Sequence, residues 1–213
     1  MNTEQKIKQL QDTIKPDHPK FHLYTRYIEA NIPRPYWDLD NLNNYMQNKN
    51  VAEKILNFCK TSEKGKGLYV TGQSSNNVGQ GKSALTYLAA QYFIKEGVIV
   101  YCFRMSELVP ILRECHQNTN YELWMQLRDL IARTQIIVID DFTDRYIGTT
   151  SFIANHITDF VEMVLYNWDL KRLFISSDLS FNKIRETFGT KLASFITERL
   201  ILISISGKNI RNE

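Results

Sequence analysis

Two clusters of residues in this chain have the types and spacing for phosphate chemistry. Gly79-Gln80-Gly81-Lys82-Ser83 follows the apolar run Leu68-Tyr69-Val70 and opens an amphipathic stretch from Ala84 to Ile94. Strand, glycine loop and helix, in that order, are the context that a phosphate-binding loop requires; the other reading is a Gly/Ser/Asn turn that happens to precede Lys-Ser. Glycines let the backbone wrap an anion with its N–H groups, and the helix N-terminus adds favourable partial charge. Gly79, Gln80, Gly81 and Ala84 would line the nucleotide phosphates, Lys82 would reach the β- and γ-phosphates, and Ser83 would put its hydroxyl on Mg²⁺. The spacing departs from the usual pattern at one point. The first glycine would fall on Asn76; counted from Gly72, the loop is about four residues longer than usual. Asparagine tolerates left-handed backbone angles, so Asn76 or Asn77 would serve.

The second cluster is Asp140-Asp141, at the end of the β-branched run Ile136-Ile137-Val138-Ile139. A continuous apolar strand is buried on both faces, as in a parallel sheet. Acids at its C-terminal end sit where open α/β sheets hold their ligands. Asp140 would hold Mg²⁺ through its waters, and Asp141 would polarise an attacking water. A single capping aspartate after a buried strand explains one of these acids, but two less well.

The surrounding chain has the elements to position both clusters. Expected strands are Gly67–Gly72, Val98–Phe103, Gln135–Asp140, Leu173–Ser177 and Leu200–Ser206. Expected helices are Thr3–Ile14, Leu39–Gln47, Val51–Thr61, Ser83–Glu96, Ser106–Gln117, Tyr121–Arg133, Phe152–Trp168, Ser180–Phe188 and Thr190–Glu198. Alternation of this kind predicts an α/β fold, a five-stranded parallel sheet with helices on both faces. Lys15-Pro16-Asp17-His18-Pro19 reads as a linker, and Tyr24 to Tyr36 as an irregular strap around Ala30-Asn31-Ile32-Pro33. The aromatics Tyr24, Tyr27, Tyr36 and Trp37 would pack the strap on the domain.

Composition bounds the rest. The 213 residues, 43% hydrophobic and 23% charged, suit one substantial globular domain. A net charge of +3 does not by itself imply nucleic-acid binding. Cys59, Cys102 and Cys115 lack metal-site spacing and read as reduced thiols. His18, His22, His116 and His156 show no ligand spacing. The N-terminus lacks a secretory signal pattern and no apolar run reaches spanning length, so a cytoplasmic protein with no membrane partner is expected.

The residues, taken in order, resemble a known family. Ala30-Asn31-Ile32-Pro33, the Lys82 loop, Ile139-Asp140-Asp141, Ser176-Ser177-Asp178-Leu179-Ser180, Glu198-Arg199-Leu200 and Gly207-Lys208-Asn209-Ile210-Arg211 look like the AAA+ ATPases of the DnaC/DnaI helicase loaders and their IstB-type transposition relatives. The resemblance covers about residues 25–213, which would be the ATPase domain, with residues 1–24 a short N-terminal helix and linker. It implies a P-loop (AAA+/RecA-like) core without a C-terminal lid, and ATP with Mg²⁺ as cofactors. Asp178 occupies the polar sensor position, where the family usually has Asn. An ionised Asp can only accept hydrogen bonds, so Ser177 is the alternative sensor. Arg199 sits at the arginine-finger position, which would act on a neighbouring subunit's ATP through self-assembly. Read alone, Arg199 is a solvated helix-end charge. Arg211 sits at the second arginine position, able to sense nucleotide in cis. Asp141 stands where the wider class commonly has Glu, which implies weak, assembly-dependent hydrolysis.

The function implied is a replication ATPase that helps place a replicative helicase on single-stranded DNA. In the family, helices after the second strand touch the DNA. Here Met105–Arg133 carries Arg113, Arg128 and Arg133, follows Arg104, and interleaves Tyr121 and Trp124. Basic groups and aromatics together suit a single strand. An ordinary amphipathic helical hairpin fits that composition equally well. The other readings are a transposition helper that binds duplex DNA, a small P-loop kinase with an arginine-rich lid, and a degenerate ATPase-like module that sequesters a helicase or initiator.

Overall fold

Five apolar runs form strands: β1 (Gly67–Gly72), β2 (Val100–Arg104), β3 (Ile136–Phe142), β4 (Arg172–Ser177) and β5 (Leu200–Ile205). They pair in parallel in the order β2-β3-β4-β1-β5. The computed structural model describes residues 3–39, 49–63, 65–72, 81–117, 120–147, 151–165 and 171–205. The helices are α1 (Thr3–Thr13), α2 (Phe21–Glu29), α3 (Lys49–Thr61), α4 (Lys82–Lys95), α5 (Met105–Gln117), α6 (Tyr121–Arg133), α7 (Ser151–Leu165), α8 (Phe181–Phe188) and α9 (Thr190–Arg199). The expected parallel α/β sheet is present.

The strand order dictates where the helices lie. Only the β1-to-β2 crossover runs towards the β2 edge; every later crossover runs back. Parallel crossovers are right-handed, so α4 falls on one face and α5 to α9 on the other. The core divides accordingly. Leu68, Val70, Val138 and Phe174 face α1 to α4. Tyr69, Ile137, Ile139 and Ile175 face α5 to α9. Each strand sends alternate residues to opposite layers, as the pleat requires.

A single crossover helix cannot cover its face alone, and the N-terminal segment completes that layer. Leu10 of α1 and Phe21 of α2 are buried in the α4-side core. The amphipathic reading of Ala84–Ile94 is therefore corrected: Ala84 to Gln91, Phe93 and Ile94 are all buried. Burial of Leu85 and Leu88 contributes roughly 1.5–3 kcal/mol each. The Tyr36 ring stacks on Tyr87 of α4 at 4.7 Å, and Gln91 Nε2 donates to the Tyr36 carbonyl.

The strap also differs from expectation in its first half. Phe21, Tyr24 and Ile28 recur at helical spacing and are buried, so residues 21–29 form α2. The prolines that follow obscure this period in the sequence. Asn31 then turns the chain with a positive φ of 56°. The Cys102 N–H donates to the Ala30 carbonyl at 2.9 Å, and Asn31 Nδ2 donates to the Cys102 carbonyl at 2.9 Å. The strap thus covers the otherwise open backbone of edge strand β2. Tyr24 and Trp37 pack together at 5.0 Å, as expected of strap aromatics. The expected helix Leu39–Gln47 lies outside the described residues beyond Leu39. Cys59, Cys102 and Cys115 are buried free thiols.

Candidate nucleotide site

β1 and β4 are neighbours, yet the chain leaves them towards opposite faces, through α4 and α8. The strands stay paired to Thr71 and Ser177 while the connections leaving them part to opposite faces, and the crevice above such a switch point is where open α/β sheets bind ligands. Gly81 begins α4 from the left-handed region, φ 86° and ψ 13°, which favours glycine. The Leu85 N–H donates to the Gly81 carbonyl at 3.0 Å and closes the first turn. Lys82 and Ser83, both half-buried, lie in that turn, followed by the buried Ala84. Gly79, Gln80, the irregular Asn76 and Arg211 lie outside the described residues.

Period-two alternation along β3 carries Asp140 to the α4 side, in line with Ile136 and Val138. There its carboxylate is almost fully buried. Tyr87 Oη of α4 donates to Oδ2 at 3.1 Å, and Ser176 Oγ of β4 donates to Oδ1. Burial, reinforced by the Asp140 charge, pushes the Tyr87 phenol well up, which keeps it a donor. Two hydroxyls therefore fix the orientation of Asp140.

Asp141 does not continue the alternation. β3 pairs Ile139 with Ile175 but Phe142 with Ser177, so β3 carries one extra residue there. This bulge puts Asp141 at φ 56°, a conformation that costs an aspartate of order 1 kcal/mol. Its N–H donates to Ser176 Oγ at 3.1 Å, and its side chain is half exposed. Bulges recur beside functional sites because they re-aim side chains. Here the bulge sends two consecutive carboxylates to one edge instead of to opposite faces. Partial burial raises the Asp141 pKa. Arg145 opposes that rise, Asp140 and Asp178 add to it, and Lys82 opposes it. Lys82 is thus within electrostatic reach of Asp141, across the crevice between β1 and β3.

Asp178 follows β4 at the same edge. Its neighbours are pinned: Ser177 Oγ accepts from the Leu179 N–H at 3.0 Å, and Tyr69 Oη donates to the Leu179 carbonyl at 2.7 Å. Ser177 is buried and donates to the Phe142 carbonyl at 2.7 Å, which commits its hydroxyl to backbone. Arg145 Nη2 lies 3.2 Å from Asp178 Oδ2 and 3.9 Å from Asp141 Oδ1. The structure therefore adds Tyr87, Ser176 and Arg145 to the residues read from sequence. Ser176 precedes the sensor dipeptide and could have been found from strand register. Nothing in the sequence signals that Arg145 turns back onto Asp178.

The other expected residues lie elsewhere. Arg199 ends α9, and Leu200 pairs with Gly67 at the start of β1. That is the opposite edge of the sheet, about 20 Å away by strand length. Arg199 does not join the crevice of its own chain. On the α5–α6 hairpin, Arg113 Nη2 donates to the Tyr146 carbonyl at 3.1 Å, and half-buried Trp124 packs against His116 at 5.1 Å. Tyr121 is 72% exposed, and Arg104, Arg128 and Arg133 are exposed as well. A separate cavity of about 300 Å³ between α1, the strap and α5 is lined by Lys6, Asn31, Arg34, Trp37, Arg104 and Glu107 among others, and by none of the crevice residues.

A family profile described as IstB-like ATP binding protein matches residues 30–212. The chain belongs to this family. Among solved structures, the IstB-like chain is similar to the DnaC helicase loader, with a TM-score of 0.59, 19% identity, and coverage of 81% of this chain and 99% of that one. It is also similar to domain III of the Thermotoga maritima replication initiation protein DnaA, with a TM-score of 0.56, 19% identity, and coverage of 74% and 62%. AMPPCP-bound DnaA from Aquifex aeolicus gives a TM-score of 0.58 and 16% identity over 77% of this chain, which spans 48% of that one. Together with the family match, these likenesses show an α/β fold of the P-loop AAA+ type. A search of curated proteins finds no match. No described helix is long and apolar enough to cross a membrane.

Proposed function

We propose that this chain binds Mg²⁺-ATP in the crevice at the ends of β1, β3 and β4, and uses it to assist a replicative helicase on single-stranded DNA. The observation that carries the nucleotide reading is the juxtaposition of Lys82, at the N-terminus of α4, with Asp140 and Asp141 at the β3 bulge. A cation at a helix N-terminus opposite two carboxylates suits a phosphate chain and its counter-ion. Asp140 fits a Mg²⁺ role because it is a buried carboxylate whose two oxygens are held by two hydroxyls. Ser83 would complete the metal set. Bound Mg²⁺ would neutralise phosphate charge. Asp141, half exposed and aimed outwards by the bulge, would orient the attacking water.

Arg199 supports an assembly reading by its position. A finger at the far edge of the sheet can serve only a neighbouring copy's ATP. Weak hydrolysis in an isolated chain follows, and a cytoplasmic setting belongs to the same reading. The likeness to the DnaC loader, over nearly all of that chain, supports the helicase proposal. The exposed Tyr121, Arg128 and Arg133 support single-strand contact, by stacking and phosphate neutralisation. The IstB family match favours a second reading, a transposition helper that prefers duplex DNA. The test is fluorescence anisotropy on single- and double-stranded oligonucleotides with ATP, ADP and no nucleotide, beside pulldown of purified replicative helicase. ATP-stimulated single-strand binding with helicase capture is expected. Duplex preference turns the reading to transposition. Helicase capture without DNA binding turns it to a sequestering module.

A further inference from the structure

We propose that Arg145 and Asp178 act together as the nucleotide-sensing group of the crevice. The guanidinium supplies the N–H donors that an ionised Asp178 lacks, so that the pair senses the terminal phosphate. The proposal rests on the nucleotide reading above.

The chemistry of the position demands a donor. A group that distinguishes ATP from ADP must offer hydrogen to the third phosphate, and a carboxylate offers none. The local charge makes the problem sharper. Asp140, Asp141 and Asp178 converge on one edge, near enough for the last two to feel each other. A polyphosphate brought there meets like charge on one side, which disfavours binding unless a cation intervenes.

Arg145 is placed to intervene. It contacts Asp178 at 3.2 Å and lies 3.9 Å from Asp141, so one guanidinium bridges the two outer carboxylates. Both contacts use Nη2. Among the described residues Nη1 makes no hydrogen bond, and the side chain is 62% exposed towards the edge. A planar fork of this kind can hold a carboxylate on one side and an anion on the other.

The mounting is firm on both sides. Buried Thr143 Oγ1 accepts from Arg145 N at 3.5 Å and from Nε at 3.4 Å. Arg113 holds the Tyr146 carbonyl at 3.1 Å, and Lys183 of α8 lies 3.8 Å from Asp144. Asp178 sits between Ser177 and Leu179, both tied down by Ser177 Oγ and Tyr69 Oη. Asp178 thus acts as a positioning residue, and Arg145 as the group that meets phosphate.

The experiment measures affinities for fluorescent ATP and ADP analogues in wild type, Arg145→Ala, Arg145→Lys, Asp178→Asn and the Arg145→Ala/Asp178→Asn double variant, with thermal unfolding of each. Arg145→Ala is expected to weaken ATP about tenfold and ADP little, so the ATP/ADP preference collapses. Arg145→Lys should recover only part, because an ammonium cannot span two carboxylates. The double variant should regain the preference, since the amide that replaces the Asp178 carboxylate donates directly. Wild type that binds no nucleotide defeats the nucleotide reading itself. Wild type that binds ATP, with Arg145→Ala retaining the full preference, overturns the sensing proposal alone. So does a double variant no better than Arg145→Ala, and so does a loss of thermal stability with the preference unchanged.

Discussion

The two ends of this sheet treat polar groups in opposite ways. At the N-terminal end, Lys171 is buried, yet its ammonium donates to the carbonyls of Ile131, Ala132 and Thr134. It closes the C-terminus of α6, where carbonyls lack helical partners and positive charge is favoured. Arg172 donates to Ser62 Oγ at 2.7 Å and lies over the Phe93 ring. Packing is tight there too: a Cβ on Gly67 would collide with the Leu173 carbonyl oxygen. At the C-terminal end, Asp140, Asp141 and Asp178 gather at one edge, the last two on Arg145, with Asp141 at positive φ. The first end resolves its charge inside the fold. The second carries strain and like-charge repulsion that folding alone does not require. That contrast supports the second end as the proposed nucleotide edge.

The contrast is sharpened most by Lys82→Ala. Loss of one charge-assisted contact to phosphate is worth ~1.5–3 kcal/mol, about 10- to 150-fold in affinity. Nucleotide binding by calorimetry should fall by that factor or beyond detection. Unfolding temperature should barely move, because alanine suits a helix first turn. Lys171→Met is the mirror experiment. It strands carbonyls at the α6 terminus and should cost about 1–3 kcal/mol of stability in denaturant unfolding. Nucleotide affinity should stay at the wild-type value. A neutral Lys171→Met would break the contrast, since that end would then not depend on its internal partners.

Much of this layout is legible in the residues. β1 and α6 match their expected bounds, because an apolar run and a 3.6 period speak locally. Burial of α4 on all sides was not legible. It depends on α3 and α2 covering a face that only one crossover helix reaches, and that follows from strand order, not from α4 itself. The Asp140-Asp141 pair was visible as chemistry, but not as geometry. Strict alternation would send the two side chains to opposite layers; the bulge that prevents this needs both β3 and β4 to be seen. Arg145 was invisible for a related reason. Its link to Asp178 spans the sheet edge between two crossovers, and no local spacing encodes that.

A smaller effect tests how Asp140, the proposed metal carboxylate, is held. Tyr87→Phe removes one of the two hydroxyls on Asp140 while leaving a ring to stack on Tyr36. A neutral hydrogen bond of this kind is worth ~1 kcal/mol. The Mg²⁺-dependent part of ATP affinity should fall about fivefold, while affinity measured in EDTA stays unchanged. An equal loss with and without Mg²⁺ would show that Tyr87 shapes the crevice generally instead of orienting Asp140.

The smallest effect comes from a place that resembles neither end of the sheet. His116 of α5 and His156 of α7 stack at 3.7 Å with only 9° between their rings. Trp124 and Phe152 pack around them. Among the described residues, His116 Nε2 and both nitrogens of His156 are buried without a hydrogen-bond partner. Asp159, 3.8 Å from His156 Nδ1, is the acid that faces the pair. Burial lowers the His156 pKa, the His116 charge lowers it further, and Asp159 offsets part of this. A folded-state pKa below the unfolded one means the unfolded chain binds more protons between the two values. Stability from this site is therefore complete above about pH 6.5 and is lost as pH falls below it. The expected loss between pH 7.5 and 5.5 is at most about 1 kcal/mol, read from urea unfolding at each pH. His156→Phe keeps an aromatic against Phe152 and His116 and should flatten that slope. An unchanged slope in His156→Phe would assign the pH dependence to other groups. The stacked pair would then join the polar groups that the fold has settled internally.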